Sequence, residues 1–173
     1  MIDYVNSNIC KINCEVMVNA ANGIGWFGGK ECTKKLMRGI SESMQYATNG
    51  KIEIAAKEEI KRRRFPQNII GITPGNYYIT DGCGLPCNQV FHAVTMRLPG
   101  SHSNKKIVAK CLCNLKKYAL HSGFYDIALP YLGCGIGGID KEYCDQYIKD
   151  LFYEDFWKIH IVCNEKKAMK TIK

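Results

Sequence analysis

The chain has 173 residues, of which 46% are hydrophobic and 23% charged, a composition typical of a soluble, globular protein rather than a disordered one. No apolar run approaches the roughly 20 residues that cross a bilayer, and residues 1–5 lack the basic and apolar regions of a secretory signal. We therefore expect a single domain spanning residues 1–173, located in the cytoplasm and without a membrane partner.

The net charge is +8, from 24 basic and 16 acidic side chains. The basic excess is concentrated at residues 61–64 and 166–173. Such runs usually form solvated surface, and the alternative is attraction of a polyanion, either nucleic acid or a phosphorylated small molecule.

Ten cysteines are present, most of them in apolar segments where a free thiol acts as a small hydrophobic side chain. The close pairs Cys83/Cys87 and Cys111/Cys113 do not repeat with the spacing of a zinc site. We expect reduced thiols, no bound metal ion and no cofactor.

Hydrophobic periodicity and glycine or proline breaks predict strands that alternate with helices. In the first half of the chain they predict a buried strand at 16–18, a loop at 19–23, helices at 30–40 and 52–64, one or two strands at 68–80 and a strand at 90–95. In the second half they predict an amphipathic helix at 107–119, a strand at 126–131, a glycine-rich loop at 132–139, a helix at 143–152 and a strand at 157–163. This order predicts a mostly parallel sheet covered on both faces, with ligands at the carboxyl ends of its strands.

The first glycine-rich loop, residues 22–30, joins a strand to a helix. Glycine lets the backbone approach an anion closely, and the start of the following helix supplies unpaired N–H groups. Trp26 and Phe27 interrupt the glycines, and these rings either cover a bound sugar or base or pack onto the body of the protein.

The second glycine-rich loop, residues 133–138, also follows a strand, and its density of glycine favours a nest of N–H donors around a phosphate. Gly133, Gly135 and Gly138 match the dinucleotide pattern Gly-x-Gly-x-x-Gly. A Rossmann site is disfavoured, because Pro130 lies in the preceding strand and no acidic residue ends a second strand about 20 residues later.

Three segments resemble the macrodomain family. Residues 18–22, Val-Asn-Ala-Ala-Asn, followed by Gly28 and Gly29, resemble its signature; residues 91–94 resemble its central strand and 127–138 its second phosphate loop. The resemblance covers nearly the whole chain. It implies an α/β fold, a three-layer αβα sandwich with a mixed, mostly parallel central sheet, and binding of ADP-ribose.

By position in the family, Asn22 would hydrogen-bond the distal ribose and the two loops would straddle the diphosphate. Asn22 has a second interpretation, a loop asparagine that bonds its own backbone. The ligand-binding residues that the resemblance implies are Asn8, Ile9, Asn19, Ala20, Asn22, Gly25, Gly28, Gly29, Gly133, Cys134, Gly135, Ile136, Gly137 and Gly138.

The sequence departs from the family at catalytic positions. Many relatives have an Asp that accepts from the adenine amino group where this chain has Asn8. The second loop resembles the Gly-Cys-Gly branch of ADP-ribosyl hydrolases and ADP-ribose 1″-phosphate phosphatases, but a Lys of that branch is replaced at 95–97 by Thr-Met-Arg, and Gly137 stands where an Asp is used. Asn22 and Glu31 remain the catalytic candidates, although stabilisation of a helix N-terminus is the favoured interpretation of Glu31. His92, in an apolar strand, is expected to be a packed core residue.

Three functions are therefore compared. The first is binding of ADP-ribose or an ADP-ribosylated substrate, with hydrolysis from protein or nucleic acid or dephosphorylation of ADP-ribose 1″-phosphate as the reaction. The second is a non-catalytic sensor of ADP-ribose or a related NAD-derived nucleotide, and the third is a basic nucleic-acid-binding module. We expect a monomer.

Overall fold

A computed structural model of the chain describes residues 1–28 and 39–163, which include one six-stranded sheet. The strands are β1 (Ile2–Val5), β2 (Cys14–Asn22), β3 (Tyr77–Asp81), β4 (Cys87–Met96), β5 (Asp126–Pro130) and β6 (Lys158–Val162). The helices in the described residues are α1 (Ile40–Ala47), α2 (Lys51–Lys61), α3 (Gln67–Ile70), α4 (Lys105–Ser122) and α5 (Lys141–Leu151), with a turn of 3₁₀ helix at Ile9–Lys11.

The sheet is mixed and mostly parallel, as predicted. Its strands lie in the order β1-β6-β5-β2-β4-β3, and every neighbouring pair is parallel except β3 and β4. The short link at 82–86 allows β3 to pair with β4 only in the antiparallel direction. Because β2 lies between β5 and β4, the two predicted glycine loops, which follow β2 and β5, begin at adjacent positions on one edge of the sheet.

Hydrophobic residues cover both faces of the sheet and form the three layers of the fold. Along β2, Val16 and Val18 face one side and Met17 and Ala21 face the other, because successive side chains of a strand alternate. The first side is covered by α4 and α5, and the second by α1 and α2. The αβα sandwich is therefore confirmed.

Helix α4 is the clearest example of local sequence determining local structure. Asn104 caps its amino end by accepting a hydrogen bond from the Ile107 N–H at 2.9 Å, a role for which asparagine is favoured. Gly123 ends the helix with a φ of 71°, in the left-handed region that glycine adopts at low cost. The stripe that faces the sheet is fully buried and consists of Val108, Cys111, Leu112, Leu115 and Ala119.

Strand β2 is longer than the sequence predicts. Residues 19–22 are predicted as a loop, but they continue the strand because β4 runs alongside and pairs Asn19 with His92 and Ala20 with Ala93. The neighbouring strand therefore supplies the backbone hydrogen bonds that override the low strand propensity of asparagine.

Other boundaries also differ. The predicted strand at 68–80 is wrong in its first part, where α3 forms after Pro66 and ends at Gly71, which has a φ of 84°; only β3 is a strand. Helix α2 ends at Lys61 rather than at residue 64. The predicted helix at 30–40 lies outside the described residues except for its end, and β1 and α1 were not predicted. None of the helices in the described residues is long and apolar enough to span a membrane.

Candidate ligand-binding site

A cleft opens at the carboxyl-terminal edge of the sheet, where β2, β4 and β5 end. This is the edge at which parallel α/β sheets bind ligands. The described residues that line the cleft are Ala20, Asn22, Trp26, Phe27, Gly39, Ile40, Ser41, Glu42, Thr95, Met96, Pro99, Gly100, Tyr131, Gly133, Gly135, Ile136 and Gly137. The first turn of α1 and both glycine loops therefore contribute to one site.

The side chain of Asn22 organises the first loop. Its Oδ1 accepts hydrogen bonds from the N–H groups of Ile24 at 3.2 Å and Trp26 at 3.1 Å, and its Nδ2 donates to the Trp26 carbonyl at 2.6 Å. Asn22 is only 6% exposed. The amide therefore makes the backbone contacts of the second interpretation given above, while the residue also lines the cleft.

The second loop exposes backbone to the cleft. Gly133 has a φ of 73°, and a Cβ there would lie 2.9 Å from Val108 Cγ2, so the turn depends on glycine. The N–H groups of Cys134 and Gly138 donate to carbonyls of the loop region. The three N–H groups at 135–137 donate no hydrogen bond to any of the described residues. Three successive N–H groups with no partner among the described residues are available to an anion, as the N–H groups of a nest are.

A buried hydrogen-bond chain supports the floor of the cleft. Ser41 Oγ donates to Asn19 Oδ1 at 2.9 Å, Asn19 Nδ2 contacts His92 Nδ1 at 3.2 Å, and His92 Nε2 contacts Thr80 Oγ1 at 2.9 Å. Thr80 Oγ1 donates to the Asp81 carbonyl, so the chain is consistent with a neutral His92 that carries its proton on Nε2. Complete burial lowers the pKa of His92 to about 3. The prediction that His92 is a core residue is confirmed.

Glu42 is a cleft residue that the sequence did not reveal. It lies in the first turn of α1 and is the only carboxylate among the described lining residues. A Cβ on Gly28 would lie 2.8 Å from Glu42 Oε1, so the carboxylate reaches the first loop. The predicted helix at 30–40 stops just before it, and no local signal marked residues 41–51.

The structure brings together some of the sequence-predicted site residues. Those that line the cleft are Ala20, Asn22, Gly133, Gly135, Ile136 and Gly137. The described residues beyond the lining are Asn8, Ile9, Asn19, Gly25, Gly28, Cys134 and Gly138, whose ligand contacts remain predictions. Gly29 and the catalytic candidate Glu31 lie outside the described residues.

Several residues beyond the lining have structural contacts. Asn8 Oδ1 accepts from the Cys10 N–H at 3.0 Å and caps the 3₁₀ turn, in which Ile9 is buried in the core. Gly25 has a φ of 68° and packs against α2, where a Cβ would lie 2.9 Å from Ile60 Cδ1.

The thiols of the described residues show no sign of metal chemistry. No group of three or more His, Cys, Asp or Glu side chains in this part of the chain could hold a metal ion. Burial raises the pKa of Cys10, Cys14 and Cys83 to about 12. These thiols are therefore protonated at neutral pH, and a protonated thiol is a poor nucleophile and ligand.

Comparison with known proteins gives the family. The model of the Macro domain matches residues 18–148. The chain belongs to the Macro domain family. An uncharacterised protein of Aquifex aeolicus is 26% identical over 171 residues, which cover 99% of this chain and 90% of the relative. O-acetyl-ADP-ribose deacetylase 1 of Pantoea vagans is 26% identical over 142 residues, covering 82% and 74%. The solved Oceanobacillus iheyensis macrodomain with ADP has a TM-score of 0.75 and 22% identity, covering 96% of this chain and 85% of that one. This macrodomain thus has the fold expected from its motifs.

Proposed function

We propose that the chain binds ADP-ribose, free or as an ADP-ribosyl group, in the cleft between its two glycine loops. Support comes from the Macro domain family itself, from a relative named as an O-acetyl-ADP-ribose deacetylase and from a macrodomain of the same fold solved with ADP.

The observation that carries the proposal is the run of N–H groups at 135–137, at the cleft end of β5, that donate no hydrogen bond to the described residues. Each N–H is a donor that a diphosphate oxygen satisfies without any charged side chain. Gly135 leaves room for this approach, since a Cβ there would meet no atom within 4 Å.

Calorimetry with ADP-ribose, and with AMP and NAD as controls, tests the proposal. We expect micromolar binding by the wild type and none detectable by Gly135→Val. Gly135 has no positive φ and has open space around it, so the variant should fold and yet fill the approach to the nest. Unchanged ADP-ribose affinity in a folded Gly135→Val protein would contradict the proposed diphosphate site at residues 135–137. Gly28→Val is a poorer test, because its side chain would collide with Glu42.

Hydrolysis is a second candidate function, favoured by the match to a relative named as a deacetylase. In this proposal Asn22 orients the distal ribose and Glu31 acts as general base. The assay uses O-acetyl-ADP-ribose, ADP-ribosylated protein, ADP-ribosylated DNA and ADP-ribose 1″-phosphate, with Asn22→Ala and Glu31→Gln as variants. Tight binding without turnover of any of the four would indicate a sensor. A steep loss of affinity for nucleic acid in salt would indicate the nucleic-acid-binding alternative.

A further inference from the structure

One surface of the protein combines consecutive positive charges with exposed apolar side chains. Residues 61–64 are Lys-Arg-Arg-Arg, and residues 61–80 contain no Asp or Glu. The next bulky apolar side chains along the chain are those of Phe65, Ile69 and Ile70, which are 78%, 74% and 49% exposed. Large apolar side chains exposed as a group are typical of a surface that contacts a protein partner or a membrane.

Hydrogen-bonded turns hold this segment together. The Gln67 N–H donates to the Arg64 carbonyl at 3.0 Å and so connects α3 to the basic run. The Ile70 N–H donates to the Pro66 carbonyl at 3.0 Å and closes the next turn. Residues 61–70 therefore form one compact unit, which we call the basic–apolar surface.

The positive charges of the basic–apolar surface are only partly neutralised within the protein. Glu59 pairs with Arg63 at 3.1 Å and with Arg62 at 4.0 Å, and the Arg62 side chain is still 74% exposed. Lys61 and Arg64 form no ion pair with any of the described residues. The surface therefore attracts an anionic partner.

The apolar side chains indicate which anionic partner fits. Phe65 and Ile69 are exposed to such an extent that they project outward rather than line a groove, so the partner must receive them in an apolar layer of its own. Nucleic acid supplies phosphates for the cations, but isoleucine cannot stack on its bases as an aromatic ring does. A bilayer with anionic lipids supplies both parts, because its headgroups face the cations and its acyl boundary receives the apolar side chains.

We propose that the basic–apolar surface binds the surface of anionic phospholipid bilayers. The contact is peripheral and needs no spanning helix, so it differs from the expectation of no membrane partner, which considered spanning segments only. The proposal does not depend on the proposed function, because none of residues 61–70 lines the cleft. The competing explanation is that the basic run is solvated surface, as such runs usually are.

Vesicle flotation of the whole chain tests the proposal. The probes are vesicles of phosphatidylcholine alone and vesicles of equal amounts of phosphatidylcholine and phosphatidylglycerol, each at low and at physiological salt. We expect the wild type to bind the anionic vesicles and not the neutral ones. Its affinity should be lower at physiological salt, because salt screens the attraction between exposed charges.

Two double variants separate the charges from the apolar side chains. The charge variant, Lys61→Gln/Arg64→Gln, should bind anionic vesicles about 20-fold more weakly, since each cation at such a membrane surface contributes about 5-fold. The apolar variant, Phe65→Ser/Ile69→Ser, should bind at least about 10-fold more weakly, because less apolar area leaves water on binding. All four positions are exposed, so both variants should keep the unfolding midpoint of the wild type in urea. Ile69→Ser alone repeats the apolar test with a smaller change.

The control variant, Lys106→Gln/Lys117→Gln, removes the same charge from exposed positions of α4. It should retain most of the affinity for anionic vesicles. The proposal would be overturned by a wild type that does not bind these vesicles, by unchanged binding in the apolar variants, or by an equal loss in the control. Binding of a single-stranded oligonucleotide that is lost in the charge variant but kept in the apolar variant, without vesicle binding, would assign the surface to nucleic acid instead.

Discussion

Replacing His92 with Gln tests whether one buried imidazole makes the fold sensitive to mild acid. Burial lowers the pKa of His92 from 6.5 to about 3 in the folded state. Below pH 6.5 the unfolded chain therefore binds a proton that the folded chain excludes, and the free energy of unfolding falls by up to about 1.4 kcal/mol per pH unit. Between pH 8 and pH 5 this linkage removes about 2 kcal/mol, and the loss continues until the folded ring is protonated near pH 3.

Urea unfolding at pH 8, 7, 6 and 5 measures this effect. His92→Gln should be less stable than the wild type at pH 8 by about 1–3 kcal/mol, because one of the two buried partners of the ring, Asn19 or Thr80, is left unsatisfied. Its pH dependence should be shallower than that of the wild type by about 2 kcal/mol over the same range. His121→Gln, a change at an exposed histidine of α4, should keep the wild-type slope. Equal slopes in the wild type and His92→Gln would refute the reasoning.

Two further changes test the loop and the helix end. Asn22→Ala removes the three side-chain hydrogen bonds that shape residues 24–26. We therefore expect weaker ADP-ribose binding, measured by calorimetry, and a free energy of unfolding about 1–3 kcal/mol lower, measured in urea. Full affinity for ADP-ribose would show that the loop does not depend on Asn22. Gly123→Ala forces alanine to a φ of 71° and should lower stability by about 1 kcal/mol. Gly135→Ala, at a position without positive φ, is its control in the same unfolding assay, and equal losses in the two variants would contradict the backbone explanation.

The parts of the fold that the sequence predicts correctly are those determined by local pattern. The stripe from Val108 to Ala119 recurs at helical spacing, and the glycine that follows it, Gly123, ends the helix in the structure. The secondary-structure prediction is wrong where contacts with residues distant in sequence determine the local structure. Residues 19–22 become strand only because β4 lies beside them, and the segment at 67–70 has no strand neighbour in the described sheet and forms a helical turn instead.

The candidate site shows the same difference between residues marked by a local pattern and residues placed by long-range packing. The second glycine loop was predictable because glycine density is a local signal, and the structure places Gly133, Gly135 and Gly137 in the cleft. Glu42 was not predictable, because it reaches the cleft through the packing of α1 against the end of β2. No feature of the surrounding sequence distinguishes Glu42 from a solvated helix residue.

The packing of the second loop also limits which side of the cleft can supply an acid or base. A Cβ at Gly137 would lie 2.5 Å from the Gly133 carbonyl oxygen and 3.0 Å from Ser103 Cβ, so the loop in this conformation has no space for the Asp that glycohydrolase relatives are expected to use there. Arg97 follows the central strand and stays protonated, which excludes it as a base. Of the described lining residues only Glu42 carries a carboxylate. An acid or base acting on the ligand is therefore expected from the side of α1 and the first loop rather than from the second loop.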